Sequence, residues 1–343
     1  MKRLFRDAGS PPEGMRALSP QGSVVCIGAF DGLHLGHRAL VDRAVARARA
    51  LGVPVVALSF EPLPREFFAK AVKPPRLMLP RAKLEGLYAL GCDSIGLLRF
   101  NAKLASMPAE DFVRDVLGGQ LSAREVWVGP GFRFGKGRGG DIELLRAMGA
   151  RLGFEAHAIE PVHCRDGERV SSTRIREALA AGEFAHAAKL LGRPYAISGH
   201  VVHGKQLGRT LGYPTANLRY GGKTPALRGI YATRVHGVAG HPLPSVSSFG
   251  TRPTVDGIEP LLEAHLFDFE GDLYGRRIEV EFVAHLRDEE KFPDLPSLVA
   301  QMQRDDEHAR AILAGASSGA TASTLNPVAP AGAPTVRDAV RDR

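Results

Sequence analysis

VVCIGAFDGLHLGHRALVDR, residues 24–43, is the stretch on which the reading of this chain turns. A β-branched run from Val24 reaches glycine at Gly28. Asp31, His34 and His37 follow, with Gly32 and Gly36 between them, and then the spacing becomes helical. A strand that hands over to a helix through a glycine-rich turn presents unsatisfied N–H groups and a positive dipole end. Two histidines at that place admit three readings. They are ordinary capping or surface residues, or they are part of a metal site, since positions i and i+3 share a helix face. No nearby Glu or third histidine completes such a site. The third reading is a phosphate seat, in which the imidazoles bond phosphate oxygens and Gly32 and Gly36 let a nucleotide approach the backbone.

Outward from this turn, strands and helices alternate. Strands are expected at Val24–Phe30, Val53–Phe60, Ser94–Leu98, Glu125–Gly129 and Glu155–Ile159. Helices are expected at Arg38–Leu51, Arg81–Leu90, Ala109–Leu117 and Gly140–Leu152. Continuous apolar strands separated by helices indicate a parallel sheet covered on both faces. Ligands bind beyond the carboxyl ends of such strands, where Gly28–His37 lies.

After about residue 190 the pattern changes. RPYAISGHVVHG, GIYATRVHGV, LLEAHLFDF and RRIEVEFVAHL read as strands joined by turns. In the last, Ile278, Val280, Phe282, Ala284 and Leu286 are expected on one face and Glu279, Glu281 and His285 on the other. This period of two suggests antiparallel strands in a small barrel. Leu295–Leu313 carries the apolar stripe of a closing helix. From Ala314 the chain is rich in Ala, Ser, Gly, Thr and Pro and reads as a disordered tail.

Bulk properties fit this division. The 343 residues exceed what one core usually holds. With 44% hydrophobic and 24% charged residues, the chain reads as globular. No apolar run approaches the about 20 residues that span a bilayer. The basic start, MKRLFRDAGSPPEG, lacks the hydrophobic segment of a secretory signal. Cys26, Cys92 and Cys164 are dispersed and odd in number, which fits a reducing cytosol. The net charge of +8 comes from scattered Lys and Arg, densest at Arg133, Lys136 and Arg138. That scatter suits anionic small molecules at least as well as nucleic acid.

SSTRIR, residues 171–176, opens a second helix. Ser and Thr favour N-caps, but hydroxyls, N–H groups and two arginines at one helix start also make a polyphosphate seat. His34-Leu35-Gly36-His37 resembles the H-x-G-H signature of nucleotidylyltransferases. GAFDGLHLGHRAL, FEPLPREFF, VGPGFRFGKGRGGD and SSTRIREALAAGEF resemble, in order, the N-terminal module of the prokaryotic bifunctional riboflavin kinase/FAD synthetase family. LLGRPYAISGHVVHGKQLGRTLGYPTANL, GIYATRV, FGTRPTVDG, LEAHLFDFEGDLYGRRIEVEF and LRDEEKF resemble its C-terminal kinase module.

The resemblance implies an α/β nucleotidylyltransferase module with a Rossmann-like parallel sheet over residues 21–185. It implies an antiparallel β-barrel riboflavin kinase module with a closing helix over 186–313, flanked by a flexible start (1–20) and the tail (314–343). Riboflavin plus ATP would give FMN, and FMN plus ATP would give FAD and pyrophosphate, with Mg2+ serving both. The partners would be these small molecules, with neither nucleic acid nor membrane.

Position by position, the resemblance puts His34 and His37 on the ATP phosphates, with Gly28, Asp31 and Gly36 shaping the turn. Ser171, Ser172, Thr173 and Arg176 would seat the triphosphate. Phe60, Pro62, Phe67, Phe68 and Phe132 would line flavin or adenine, although aromatics there also serve as plain core. In the kinase module Gly204 and Gly208 would cover ATP, Thr215 and Asn217 would hold Mg-ATP, and Glu263 would be the base. Asp268, Asp272, Glu279 and Glu281 read as surface residues. Ala29, Leu63 and Gly131 depart from the family pattern, and the last two each imply one substrate hydrogen bond fewer. Ser247-Ser248-Phe249 departs from the residues usual before GTRPT. A kinase with a weakened adenylyltransferase, and a basic nucleotide- or nucleic-acid-binding protein without catalysis, are the competing readings.

Overall fold

The apolar run at 23–27 becomes the central strand of a parallel sheet. The computed structural model describes residues 3–5, 19–204, 208, 211–254 and 257–317. Strands β1 (Arg3–Phe5), β2 (Ser23–Ile27), β3 (Val55–Glu61), β4 (Ser94–Arg99), β5 (Ala123–Val128) and β6 (Glu155–Ala158) lie in the order β1-β4-β3-β2-β5-β6. Every pairing is parallel. The connection order reverses around β2, which places the Gly28 turn where ligands of open α/β sheets bind. Alternate residues of β2 feed two cores. Val25 and Ile27 pack with Val113, Val126 and Leu145; Val24 and Cys26 pack with Leu40, Val41 and Ala44 of α1 (Leu35–Leu51). Burial on both faces explains the unbroken apolar run.

The remaining helices of this half are α2 (Pro64–Phe67), α3 (Pro80–Ala89), α4 (Ala102–Ala105), α5 (Ala109–Asp111), α6 (Ile142–Leu152), α7 (Ser172–Ala180) and α8 (Phe184–Leu191). The strand expected through Phe30 ends at Ile27, because Phe30 itself turns to φ 49°. The α-helix expected at Ala109–Leu117 is α5 followed by a π-helix, Phe112–Gln120. Its wider turns still bury Phe112, Val113, Val116 and Leu117. Within the leader expected to be flexible, Arg3–Phe5 pairs with β4 as an edge strand.

The second half is a closed antiparallel barrel. Strands β7 (Ala196–Val202), β8 (Ala216–Arg219), β9 (Gly229–His236), β10 (Leu243–Thr254), β11 (Gly257–Leu266) and β12 (Arg277–Arg287) close in the order β10-β11-β8-β7-β12-β9. Helix α9 (Leu295–Ser317) lays Ala309 and Leu313 on Ala232 and Phe267 of the barrel wall. It runs past Ala314, where the tail was expected to begin; residues 318–343 lie outside the described ones.

The expected alternation of β12 fails halfway. Ile278, Val280 and Phe282 face the barrel interior, but Ala284 and Leu286 pack outside with α9. Register shifts between Phe282 and Ala284, and between His285 and Arg287, re-aim the strand. Glu281, expected at the surface, is largely buried. It accepts from His236 at 2.7 Å and Arg234 at 3.3 Å.

The two halves share a core. Ile175, Leu179 and Phe184 belong to one cluster with Tyr195, Tyr231 and Phe282. The division expected between 185 and 186 therefore falls inside α8. A second junction is polar. Fully buried Arg76 donates to Glu66 (Nε, 2.8 Å) and Glu61 (Nη1, 2.7 Å). Lys223 pairs with Glu61 at 2.7 Å, and the Tyr220 hydroxyl donates to the Arg76 carbonyl at 2.8 Å. Removing one partner of a buried pair leaves the other charge uncompensated. Arg76→Met should thus destabilise the protein by roughly 3–5 kcal/mol, read as a lower urea midpoint. An unchanged midpoint would show that Glu61 and Glu66 find other donors.

Candidate active sites

In the parallel half, His34 is the N-cap of α1. Its Nδ1 accepts the His37 N–H at 3.2 Å, which puts its own proton on Nε2 when the ring is neutral. The two imidazoles stack with centroids 3.7 Å apart, and Phe30 meets His37 edge-on at 5.3 Å. Burial, with Arg193 nearby, brings the His34 pKa down to about 4. Burial, reinforced by His34 and Lys83, holds His37 well below its ordinary value. Both rings are neutral at pH 7, and the buried His37 Nδ1 has no partner among the described residues. Gly36 sits in the first turn, where a Cβ would stand 3.2 Å from the His34 ring. Gly28 ends β2 against Phe30.

Asp31 organises this turn. It is 1% exposed and accepts from Arg65 at 2.5 Å, from Arg176, and from the Leu77 and Met78 N–H groups at 3.1 Å each. Ser172 donates to the Asp31 carbonyl at 2.9 Å, and Ser171 caps α7 by accepting from the Arg174 N–H at 3.3 Å. Thr173 is exposed beside them. The structure thus brings Gly28, Asp31, His34, Gly36, His37 and the α7 start together. Arg176, expected to help seat the triphosphate, directs its nitrogens to the Pro75 carbonyl (2.7 Å), the Ser172 carbonyl (2.9 Å) and Asp31.

Sequence reasoning missed the charges beneath this turn. Fully buried Lys83 donates to Ser59 at 3.2 Å, and burial, with Arg76 nearby, lowers it to about 8. Asp31, Glu61 and Glu66 face five cations: Arg65, Arg76, Lys83, Arg176 and Lys223. The excess of positive charge suits a polyphosphate. Nothing in the spacing of RAKLEGL marks Lys83 as different from a surface lysine.

The aromatic candidates split. Phe60, Phe67 and Phe68 converge on Phe100, at 5.8, 5.4 and 5.7 Å between centroids. Phe67 and Phe68 are 38% and 62% exposed, so their faces are open to a planar ligand. Pro62 follows Phe60 by two residues and is partly buried. Phe132 stacks instead on Phe134 at 5.4 Å, against the sheet core. Phe100 was missed because it lies outside the FEPLPREFF motif. Leu63 is 1% exposed, so its departure from the family pattern sits in packing, whereas Gly131 is exposed and a Cβ there would meet nothing within 4 Å.

In the barrel, backbone pairing assembles the second site. Glu263 of β11 pairs with Asn217 of β8 on one side and Ser248 of β10 on the other. Asn217 is 5% exposed; its Nδ2 donates to the Thr215 carbonyl at 3.1 Å, and its Oδ1 is buried with no partner among the described residues. A Cβ on Gly204 would meet the Asn217 side chain at 2.9 Å, and one on Gly208 would meet the Tyr213 carbonyl at 2.3 Å. Only glycine lets the loop lie this close. A cleft lined by Val201, Thr215, Ala216, Phe269, Leu273 and Tyr274 opens beside Thr215. Its far wall, in FDFEGDLYG, was not expected from the sequence. Phe249 is wholly buried against Tyr220, and Ser247 bonds Thr233 at 2.7 Å, so these two departures lie in the barrel core.

Comparison with known proteins agrees with this two-site architecture. Residues 17–174 match the family model for FAD synthetase, and residues 191–313 match that for riboflavin kinase. The chain is 44% identical over 290 residues to the bifunctional riboflavin kinase/FMN adenylyltransferase of Escherichia coli strain K12, covering 84% of this chain and 92% of that one. Its identity to the protein of the same name from Pseudomonas fluorescens is 43% over 305 residues, covering 88% and 97%. Among solved structures, one named as a macrolide-efflux protein from Streptococcus pneumoniae is 30% identical, with a TM-score of 0.69 over 90% of this chain and 98% of that one. No helix among the described residues is long and apolar enough to cross a membrane. The match extends through both modules, and the chain belongs to the bifunctional riboflavin kinase/FMN adenylyltransferase family.

Proposed function

We propose that the barrel site phosphorylates riboflavin with ATP to give FMN and ADP, and that the sheet site then adenylates FMN with a second ATP to give FAD and pyrophosphate. The observation that carries this is a pair of separate arrangements of a kind that suits anions: a histidine-capped helix start in one half, and glycines packed over Asn217 and Thr215 in the other. We assign the first activity to 186–313 and the second to 21–185.

In the barrel, Glu263 takes the proton from the ribityl hydroxyl, whose oxygen attacks the γ-phosphorus of ATP. The β-ladder holds Glu263 beside Asn217, so base and ATP seat are fixed by the same hydrogen bonds. The unpartnered Asn217 Oδ1 and the Thr215 hydroxyl are hard oxygen donors that fit Mg2+. The bound ion would offset charge on the phosphates.

In the sheet half, the FMN phosphate attacks the α-phosphorus of ATP and pyrophosphate departs. No covalent intermediate is needed; positioning and charge stabilisation suffice. His34 Nε2–H donates to a phosphate oxygen, and the start of α1 adds its N–H groups. Ser171, Ser172 and Thr173 flank the triphosphate, and Phe67 and Phe68 offer faces to the flavin. The free thiols Cys26, Cys92 and Cys164 support a cytoplasmic setting, with small molecules rather than nucleic acid as partners.

Three outcomes test this. His37→Ala should abolish FAD formation while FMN formation persists, followed by chromatography of products from riboflavin and ATP. Equal loss of both in a folded variant would remove the two-site assignment. Glu263→Gln keeps size and polarity but removes the base, so FMN formation should fall roughly 10²–10⁴-fold, while FAD formation from supplied FMN survives. A parent rate would return Glu263 to a solvated carboxylate.

The third outcome concerns pH. His34 titrates near its ordinary value when unfolded and at about 4 when folded. Between these pH values the unfolded chain binds more protons, so stability rises with pH across the window and is lost on acidification. His34→Asn keeps an N-cap acceptor and should lose less stability between pH 6.5 and 4. Parallel losses in parent and variant would show that other groups carry the acid sensitivity.

A further inference from the structure

The turn that delivers His34 holds a conformation few side chains adopt. Phe30 has φ 49°, Gly32 94° and Leu33 44°. Leu33 is 4% exposed, and its Cδ1 lies 2.3 Å from where a Cβ on Gly86 would stand, so packing pins it in place. Such residues persist only where the surroundings over-determine them. Part of that determination arrives from the other half of the chain.

Arg193 lies between α8 and β7, inside the segment that matches riboflavin kinase. Its Nη2 donates to the Gly32 carbonyl at 2.8 Å and its Nη1 to the Leu33 carbonyl at 3.2 Å, with a longer bond to the Leu191 carbonyl at 3.5 Å. One planar fork thus fixes two consecutive carbonyls, and with them the peptide planes that enter His34. Among the described residues its hydrogen bonds all go to carbonyls; Glu279 acts on it without an ion-pair contact. The positive charge is therefore delivered to the turn rather than cancelled at contact.

We infer that Arg193, though part of the kinase segment, is a positioning residue for adenylyl transfer: it locks the Gly32–Leu33 turn so that His34 and the start of α1 meet the phosphates in register. This rests on the assignment of His34 and His37 to that reaction. It makes the adenylyltransferase half incomplete without the first residues of the kinase half.

The test uses the full chain with Arg193→Gln and Arg193→Lys, measuring FAD formation from FMN and ATP and FMN formation from riboflavin and ATP in one preparation. Small misplacements of bound reactants are worth up to about 100-fold in rate, so Arg193→Gln should lower kcat for FAD formation by roughly 10–100-fold. KM for ATP should move less, and FMN formation should stay at the parent rate. Arg193→Lys keeps the charge but not the fork, and should lie between. A residue that merely holds the fold would shift melting temperature without changing the ratio of the two activities. FAD formation at the parent rate in the Gln variant, or matched loss of both activities, overturns the inference. Should the Gln variant not fold, the Lys variant decides: a selective fall in FAD formation supports the inference, while a parent rate or matched losses sink it. His37→Ala is run alongside. If it too leaves FAD formation intact, the fault lies with the histidine assignment rather than with Arg193.

Discussion

Four donors converge on the carboxylate of Asp31, which is almost closed to solvent. An ionised carboxylate in such a place is sustained only by paired charges and hydrogen bonds. Burial pushes the Asp31 pKa up, and Arg65, Lys83 and Arg76 pull it back. The donors come from α2, from the loop at 77–78 and from α7, elements far apart in the chain. Asp31 is three residues from His34, so whatever fixes its side chain also fixes the histidine turn. Arg176 serves that clasp, which explains why its guanidinium is turned inward rather than toward an open phosphate seat.

The clasp bears on how the site handles charge. Both histidines are neutral, so they offer hydrogen bonds and polarity instead of full cations. Fixed cations lie beside them: Lys83, and Arg65 and Arg76, which are paired with Asp31, Glu61 and Glu66. A fixed, partly desolvated cation acts on an arriving polyphosphate without having to reorganise, which a flexible surface lysine cannot do. On the proposed function the division of labour is physical: rings and N–H groups set direction, and the layer below sets potential.

What the sequence made legible follows the range of the interactions. The strand–turn–helix at 24–43 is local, and its motif gave both the parallel sheet and the place of His34 and His37 at the start of α1. The barrel was legible from alternation, and Gly204, Gly208, Thr215, Asn217 and Glu263 come together as their motifs implied. The misses are long-range or irregular. No local signal announces a bulge that turns Ala284 outward, or a lysine at 83 buried beneath a turn fifty residues earlier. The contact of Arg176 with Asp31 was not legible for the same reason: a helix-start arginine looks identical whether or not it meets a distant aspartate. The packed junction was not legible because α7 and α8 are amphipathic like any surface helix, and only the fold shows that their apolar faces meet the barrel.

The two sites therefore differ in how they are built. Glu263 and Asn217 are set opposite each other by strand register, a cooperative ladder that no single side chain controls. The turn before α1 is set by side chains reaching across large sequence distances: Arg65, Arg176, Ser172 and Arg193 all grip residues 31–33. A site held by a ladder tolerates changes around it as long as the barrel closes. A site held by a few convergent hydrogen bonds depends on each of them, and on every element that supplies one. Because α7 packs on the barrel and Arg193 leads into its first strand, the turn at residues 31–33 in one half is held partly by the other half. The shared core is thus more than a tether, since it brings a residue of the barrel half into the geometry of the turn before α1.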